Sequence, residues 1–115
     1  MTVTIYHNPR CAKSRATLQL LEAKGMTPKV VDYLKTPPSA AELKAILKKL
    51  GLKPRDLIRK GEPRYAELDL KDRQLSDDQL IAVMVDNPIL IERPIVVSGG
   101  RAAIGRPPEK VLEIL

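Results

Sequence analysis

One cysteine occurs in the chain, Cys11, and the residues around it would make it a nucleophile. A short apolar run ends at the turn that Pro9 marks, and an amphipathic helical pattern begins at the cysteine. Backbone N–H groups at a helix start lack helical partners and favour negative charge, as do the basic residues Arg10, Lys13 and Arg15. Such surroundings lower the pKa of a cysteine from ~8.5 to roughly 3.5–7.5, which favours a reactive thiolate.

Two neighbours of Cys11 bear on what such a thiolate could do. Ser14 completes a Cys-x-x-Ser spacing, and since serine cannot resolve an oxidised cysteine, Cys11 would need an external thiol. His7 either tunes the thiol or acts as a base, or it is an imidazole hydrogen-bonded at a strand end. The plainer interpretation of Cys11 is a small buried hydrophobic residue, the commoner role of a lone intracellular cysteine.

Three arginines are candidates for binding an anion, and each has a plainer alternative. Arg93 precedes Pro94 at the start of a predicted strand, where a cis peptide bond would fix the arginine. The residues alone favour a trans proline beside a solvated arginine. Arg59 follows a short predicted helix, and Arg106 precedes a helix start that favours anions. Either of these could instead be a surface charge, which is the commoner role of arginine.

Length and composition indicate one domain over residues 1–115. Phenylalanine and tryptophan are absent, so the core must be aliphatic. No apolar run approaches the ~20 residues of a membrane helix, and the N-terminus lacks a secretory pattern. A single cysteine fits a reducing cytoplasm, and with only one histidine it argues against a metal site. We therefore expect a cytoplasmic, metal-free protein without a membrane partner.

The formal net charge of +6 would suit nucleic-acid binding. However, three tyrosines are the only aromatic residues, too few for a stacking platform. Basic residues also mix with acids along predicted helices, as on a solvated face. A modest positive field serves equally well to attract small oxyanions, so we expect no nucleic-acid partner.

The predicted elements follow the order βαβ, a helical insertion at about 36–87, and then ββα. The first two strands cover 3–6 and 29–33, and the helix between them ends near Gly25. A crossover of this length makes the two strands parallel. Four residues of that helix are expected to face the core: Ala16, Leu18, Leu20 and Leu21.

Capping signals and turns place the remaining elements. Capping boxes at Ser39 and Ser76 begin two helices, and a short helix that includes Ile58 follows Pro54. Two strands at about 95–104 form a hairpin. A last short helix, opened by two prolines, is expected to bury three residues: Val111, Leu112 and Ile114.

Four stretches of the sequence closely resemble the ArsC family, the glutaredoxin-coupled arsenate reductases and their relatives. They are HNPRCAKSR at 7–15, YLKTPP at 33–38, DNPILIERPIVV at 86–97 and GRPP at 105–108. They span essentially the whole chain in the family's order. The resemblance implies a thioredoxin-like α/β fold with a mixed sheet and a helical insertion, in which Pro94 is the cis proline. The chain ends at Leu115 and in this looks closer to the short chromosomal-type members.

The resemblance also implies a role for each candidate residue. Cys11 matches the family's nucleophile, and His7 and Ser14 match its nearby histidine and serine. The family's three anion-binding arginines fall on Arg59, Arg93 and Arg106. The implied reaction begins with attack of Cys11 on arsenate. Glutathione, a co-substrate, then adds to the adduct, and glutaredoxin supplies the reduction that releases arsenite, with no bound cofactor. We expect a monomer.

Two alternatives stay open. In the first, the protein is a glutathione-dependent thiol oxidoreductase that does not act on arsenate. Cys11 would then form a mixed disulfide, and the arginines would bind glutathione carboxylates. In the second, it is a transcription regulator that binds RNA polymerase and carries a Cys-x-x-Cys switch. Ser14 in place of a second cysteine argues against this, as does the retention of Arg59 and Arg106.

Overall fold

In the computed structural model, which describes residues 2–115, the chain divides into two compact units. The first unit contains the residues up to Thr36 together with Arg93–Leu115, and the second contains Pro37–Glu92. The second unit is entirely helical apart from its loops and one isolated bridge. That the two units make one domain with an insertion at about 36–87 stays a prediction.

The first unit is built on a mixed sheet of four strands in the order β2-β1-β3-β4. The strands are β1 (Val3–His7), β2 (Lys29–Asp32), β3 (Ile95–Ser98) and β4 (Arg101–Ile104). The central strand β1 runs parallel to β2 and antiparallel to β3, so that Ile5 lies opposite Val30 on one side and Val96 on the other. This register brings the end of β1, where His7 lies, next to the start of β3.

Aliphatic side chains hold a helix and a 3₁₀ helix to this sheet. The helix α1 (Ala12–Ala23) and the 3₁₀ helix Pro108–Ile114 contact each other, and the 3₁₀ helix also contacts β4. Burial of a large aliphatic side chain stabilises a fold by roughly 1.5–3 kcal/mol. Five buried residues form the core of the unit: Ile5, Leu21, Val96, Val111 and Ile114.

The inward face of α1 differs from the prediction. Ala16 is exposed, and the two residues that are most fully buried besides Leu21 are the polar Ser14 and Thr17. Their small hydroxyls hydrogen-bond locally: Thr17 donates to the Lys13 carbonyl at 2.8 Å, and Ser14 contacts the end of β1. The helix therefore approaches the sheet through small polar side chains at its start and through leucine only further along.

The expected burial of Leu112 is also wrong, since 36% of this residue is exposed. The segment is a 3₁₀ helix, which has three residues per turn. Val111 and Ile114 therefore lie on the same face and are buried, whereas Leu112 lies off that face.

The second unit contains four helices and a 3₁₀ helix. They are α2 (Ala40–Leu50), α3 (Pro54–Leu57), α4 (Pro63–Glu67), α5 (Asp77–Asp86) and the 3₁₀ helix Pro88–Leu90. Both predicted capping boxes are confirmed, with Ser39 accepting from Glu42 N–H and Ser76 from Gln79 N–H. Helix α5 contacts both α2 and α3.

Three features of the second unit depart from the sequence prediction, and the first is the 3₁₀ helix Pro88–Leu90, which was not predicted. Helix α4 was not predicted, because five residues give too little apolar periodicity to detect. Ile58 lies outside α3 and forms an isolated antiparallel bridge with Ile91. None of the helices within residues 2–115 has the length and apolar content that crossing a membrane requires.

Candidate functional site

Cys11 is the N-cap residue of α1, with the extended backbone that this position usually has (φ −91°, ψ 122°). Its N–H donates to the Asn8 carbonyl at 3.0 Å, and its carbonyl accepts the first helical bond, from Arg15. The Asn8 side chain accepts from the Arg10 N–H at 3.0 Å. The turn before the helix is thus closed by hydrogen bonds, which fix the half-buried thiol at the helix start.

His7 and Ser14 contact each other beside this turn. The Nδ1 atom of His7 lies 2.6 Å from the Ser14 hydroxyl, which also accepts from the Asn8 N–H at 3.0 Å. All three residues are buried, and Ser14 is fully so. Of the two interpretations of His7, the structure shows the imidazole hydrogen-bonded at the end of β1, and its role in the reaction stays a prediction.

The environment of His7 favours the neutral imidazole. Burial lowers the pKa of His7 and outweighs the nearby Asp32 carboxylate, which raises it, while Arg15 lowers it further. The net pKa is below the ordinary value of 6.5. His7 is therefore uncharged at neutral pH, and the positive charge around Cys11 comes from arginine.

Two of the three candidate arginines converge on the Cys11 sulfur. The Nη2 atom of Arg106 lies 3.5 Å from the sulfur, and the Nε atom of the same guanidinium donates to the Arg93 carbonyl at 2.8 Å. The Arg93 side chain is only 8% exposed and donates a hydrogen bond to the Cys11 thiol. Both guanidinium groups are therefore held in place next to the sulfur.

The pKa of the Cys11 thiol is lowered by these neighbours. Burial is the largest single influence and raises the pKa, because it disfavours the charged thiolate. The backbone N–H of Ser14 opposes it most strongly, followed by the Arg93 side chain, the Lys13 N–H and the charge of Arg106. No side-chain cap of standard geometry forms at Cys11, yet the N–H groups at the helix start face the sulfur closely enough to favour ionisation. The lowered pKa fits the expected nucleophile better than inert packing.

The peptide bond between Arg93 and Pro94 is cis, as the family resemblance implies. The alternative of a trans proline beside a solvated arginine is therefore wrong. A second cis bond joins Arg106 to Pro107. Gly105 N–H donates to the Pro94 carbonyl at 3.0 Å, and an added Cβ at Gly105 would overlap Thr17 Oγ1. Sequence reasoning missed Gly105 and Thr17, because only the packing of α1 against this loop shows that they touch.

Arg59 belongs to the second unit, where two carboxylates hold its guanidinium. Its Nε donates to Glu62 at 3.0 Å, and its Nη1 donates to Glu92 at 2.6 Å. Its backbone N–H donates to the Leu90 carbonyl at 2.7 Å. Burial lowers the pKa of Arg59, but the two carboxylates outweigh it and raise the pKa overall. The side chain is thus a fixed cation, and its predicted role toward an anion stays a prediction.

The geometry of the first unit suits the attack of a thiolate on a bound oxyanion. A planar guanidinium pairs with two oxygens at once, and two such groups next to the sulfur would hold an oxyanion at the nucleophile. The same charges would stabilise negative charge that develops as the sulfur attacks. Within residues 2–115, no group of three or more His, Cys, Asp or Glu side chains is arranged to hold a metal ion.

Comparison with known proteins gives a match to the model of the ArsC family over residues 6–114. The chain is 59% identical over 114 residues to the uncharacterized protein YfgD of Escherichia coli K12, covering 98% of the chain and 96% of that protein. It is 48% identical over 114 residues to an arsenate reductase of Neisseria meningitidis serogroup A, covering 98% of the chain and 97% of the relative.

A solved structure shares the fold of the chain. The arsenate reductase from Vibrio cholerae superposes with a TM-score of 0.97 at 58% identity, covering 100% of this chain and 98% of that one. Together with the mixed four-stranded sheet, this likeness confirms the predicted thioredoxin-like α/β fold.

Proposed function

The chain belongs to the ArsC family, and from this we propose that it is an arsenate reductase that uses Cys11 as its single nucleophile. The observation that most strongly supports the proposal is that Arg93 and Arg106 converge on the Cys11 thiol, whose pKa is lowered. Relatives named arsenate reductase, such as those of Neisseria meningitidis and Vibrio cholerae, support arsenate as the substrate.

The first step joins the enzyme to arsenic. Arg93 and Arg106 hold the arsenate oxygens, and the Cys11 thiolate attacks the As(V) centre. A sulfur–arsenic bond forms, and one arsenate oxygen takes up protons and leaves as water. The arsenic stays in the +5 state. The two guanidinium groups stabilise the oxygens as their charge increases in the transition state, an effect typically worth several kcal/mol.

The reduction needs thiols from outside the chain, because Cys11 is the only cysteine. Glutathione forms a second sulfur–arsenic bond, and a second oxygen leaves as water. A glutaredoxin thiolate then attacks the glutathione sulfur, and the electron pair of the sulfur–arsenic bond stays on arsenic. Arsenic is thereby reduced from +5 to +3, and the two thiols are oxidised to a mixed disulfide. Water finally cleaves the bond to Cys11 and releases arsenite.

The reaction scheme also indicates the cellular compartment and the oligomeric state that we expect for the protein. The reductants are cytoplasmic thiols, so we propose that the protein acts in the cytoplasm. Each step draws on groups of one chain together with the two external thiols and no bound cofactor. We therefore propose that a monomer is sufficient. The role of Arg59 as a third anion ligand rests on the family resemblance, and its two carboxylate partners would orient it.

The test is steady-state arsenate reduction with glutathione, glutaredoxin, glutathione reductase and NADPH, in which the wild type is compared with Cys11→Ser. We expect turnover that is lost in the variant and that stops when either thiol is left out. Exposed Arg101 in the same unit offers a matched control, and Arg101→Ala should keep the wild-type rate. Folded protein without arsenate turnover would contradict the proposal, and activity on glutathionylated substrates would then identify a thiol oxidoreductase instead.

A further inference from the structure

A cleft of about 420 Å³ lies in the first unit at the turn that leads into Cys11. Its volume falls within the roughly 300–1,000 Å³ that small-molecule sites occupy. Three lining residues come from the turn before α1, and three come from the end of β2 and the residues after it. They are Asn8, Pro9, Arg10, Asp32, Leu34 and Lys35.

The cleft carries two positive charges and one negative charge. Arg10 and Lys35 are exposed, and within residues 2–115 neither side chain has a hydrogen bond or an ion pair. The Asp32 carboxylate is half-buried, and one of its oxygens accepts from the Leu34 N–H at 3.2 Å. This bond fixes the carboxylate and leaves its other oxygen for a ligand.

We propose that this cleft binds glutathione, the thiol that adds to arsenic after Cys11, an inference that rests on the proposed function. Glutathione carries two carboxylates and one ammonium group, which match the two cations and the one carboxylate of the cleft. Arg10 and Lys35 bind the carboxylates, and Asp32 binds the ammonium group of the γ-glutamyl residue. Leu34 and Pro9 contact the methylene groups between these charges.

The position of the cleft suits the reaction. Arg10, which lines it, directly precedes Cys11 in the chain. A tripeptide spans about 10 Å when extended, so its central cysteine can reach the turn while both ends stay in the cleft. We therefore expect the glutathione thiol to approach arsenic from the side of the turn.

The cleft also provides separate cations for the second of two anions that must bind at the same time. The substrate oxyanion and glutathione are both anionic, and both must be present for the second sulfur–arsenic bond to form. Arg93 and Arg106 lie next to the Cys11 sulfur. In the proposed function, these two residues bind the oxyanion. Arg10 and Lys35 are separate cations, so the two anions can bind at once without competing for the same guanidinium groups.

The experiment measures binding of S-methylglutathione, which cannot form a disulfide or a bond to arsenic, by isothermal titration calorimetry. Loss of one charged partner typically costs tenfold or more in affinity, so we expect Arg10→Ala and Lys35→Ala each to raise Kd about tenfold. Lys110→Ala removes the same charge from an exposed residue outside the cleft and should leave Kd unchanged. Thermal unfolding of each variant confirms that the fold is retained.

Asp32→Asn tests the orientation of the ligand, because asparagine keeps the oxygen that accepts from Leu34. It should weaken binding of S-methylglutathione but not of its desamino analogue, in which a glutaryl group replaces the γ-glutamyl residue, so that both carboxylates are kept and the ammonium group is absent. No binding by the wild type, or equal Kd values for the cleft variants and Lys110→Ala, would overturn the proposal.

Measurement of arsenate turnover distinguishes a failure of the cleft proposal from a failure of the proposed function. If the proposal is correct, Lys35→Ala raises the KM for glutathione while the KM for arsenate stays as in the wild type. If Lys35→Ala reduces arsenate with an unchanged KM for glutathione, the cleft proposal is overturned and the proposed reductase function stands. Binding of S-methylglutathione that depends on the cleft, in a protein without arsenate turnover, would support the cleft and contradict arsenate as the substrate.

Discussion

The Nη2 atom of Arg106 lies 3.5 Å from the sulfur of Cys11, although 95 residues separate the two in the chain. The same guanidinium donates to the backbone carbonyl of Arg93, whose own side chain donates to the sulfur. The two arginines therefore support each other: the backbone of one orients the charge of the other. Loss of Arg106 would remove a charge from the thiol and a partner from the Arg93 carbonyl.

Replacing Arg106 should raise the pKa of Cys11, because the guanidinium favours the thiolate. Iodoacetamide alkylation of the wild type across pH should have its midpoint below the ~8.5 of a free cysteine, and Arg106→Ala should shift it upward. We also expect kcat/KM for arsenate to fall about 10²–10³-fold, as when one donor is removed from an oxyanion site. Arg101→Ala is the matched control, and a wild-type midpoint at or above ~8.5 would contradict an activated thiolate.

The single histidine should titrate below its ordinary pKa of 6.5, because it is buried against Ser14. Its imidazole proton signals in NMR are unique in this chain, so the midpoint can be followed directly. Asp32→Asn should lower the midpoint further, since that carboxylate raises the pKa of His7. Glu22→Gln, on the exposed face of α1, serves as the control. A midpoint above 6.5 would show that the imidazole is not desolvated as the structure requires.

The lowered pKa of His7 also predicts how stability depends on pH. Below 6.5 the unfolded chain binds a proton before the folded chain does, so its proton count is higher. The free energy of unfolding should therefore fall as the pH drops below 6.5, down to the lower pKa of the folded state. Urea unfolding between pH 5 and 8 measures this slope, and His7→Gln should reduce it. An unchanged slope in the variant would assign the pH dependence to other groups.

Gly105→Ala should destabilise the protein, because the added methyl group would overlap Thr17 and lie 2.8 Å from the Pro94 ring. Overpacking of this kind typically costs about 1–3 kcal/mol. Gly100→Ala provides the control, since its added Cβ meets nothing within 4 Å. Equal urea midpoints for the two variants would mean that the loop moves aside freely.

Arg59→Lys should lower activity while keeping the charge. Arg59 uses two different nitrogens to bind Glu62 and Glu92, and an ammonium group cannot reproduce this fork. If the side chain binds the oxyanion in that orientation, kcat/KM for arsenate should fall tenfold or more, which corresponds to about 1.4 kcal/mol. Arg64→Lys, at an exposed pair with Glu67, is the control. Equal kcat/KM values for the two variants would mean that Arg59 is not part of the oxyanion site.

Features that depend on neighbouring residues were predictable from the sequence. Ser39 with Glu42 and Ser76 with Gln79 are capping boxes in the structure. The two residues of each pair are three positions apart, so they hydrogen-bond within one helical turn. Gly51 ends α2 in the left-handed conformation for the same local reason. The order of strands and helices followed from such signals, apart from the short α4 and the 3₁₀ helix Pro88–Leu90.

Features that depend on distant residues were not predictable from local patterns. Ser14 is buried and contacts His7 at the end of β1, whereas a helical hydrophobicity pattern assigns a serine to the surface. The convergence of Arg93 and Arg106 on Cys11 requires the sheet to form, so composition and spacing could not show it. The family resemblance named these arginines, but their mutual hydrogen bond is visible only in the folded chain.

The distance along the chain between Cys11 and its arginines has a consequence for biosynthesis. A ribosome adds Cys11 before Arg93 and Arg106, so a nascent chain for a time carries the cysteine without these two charges. Until β3 and β4 have formed, the thiol lacks both arginines, and of the groups that lower its pKa in the folded chain the N–H groups at the start of α1 remain. The full lowering of the Cys11 pKa is thereby a property of the folded chain rather than of the segment around the cysteine.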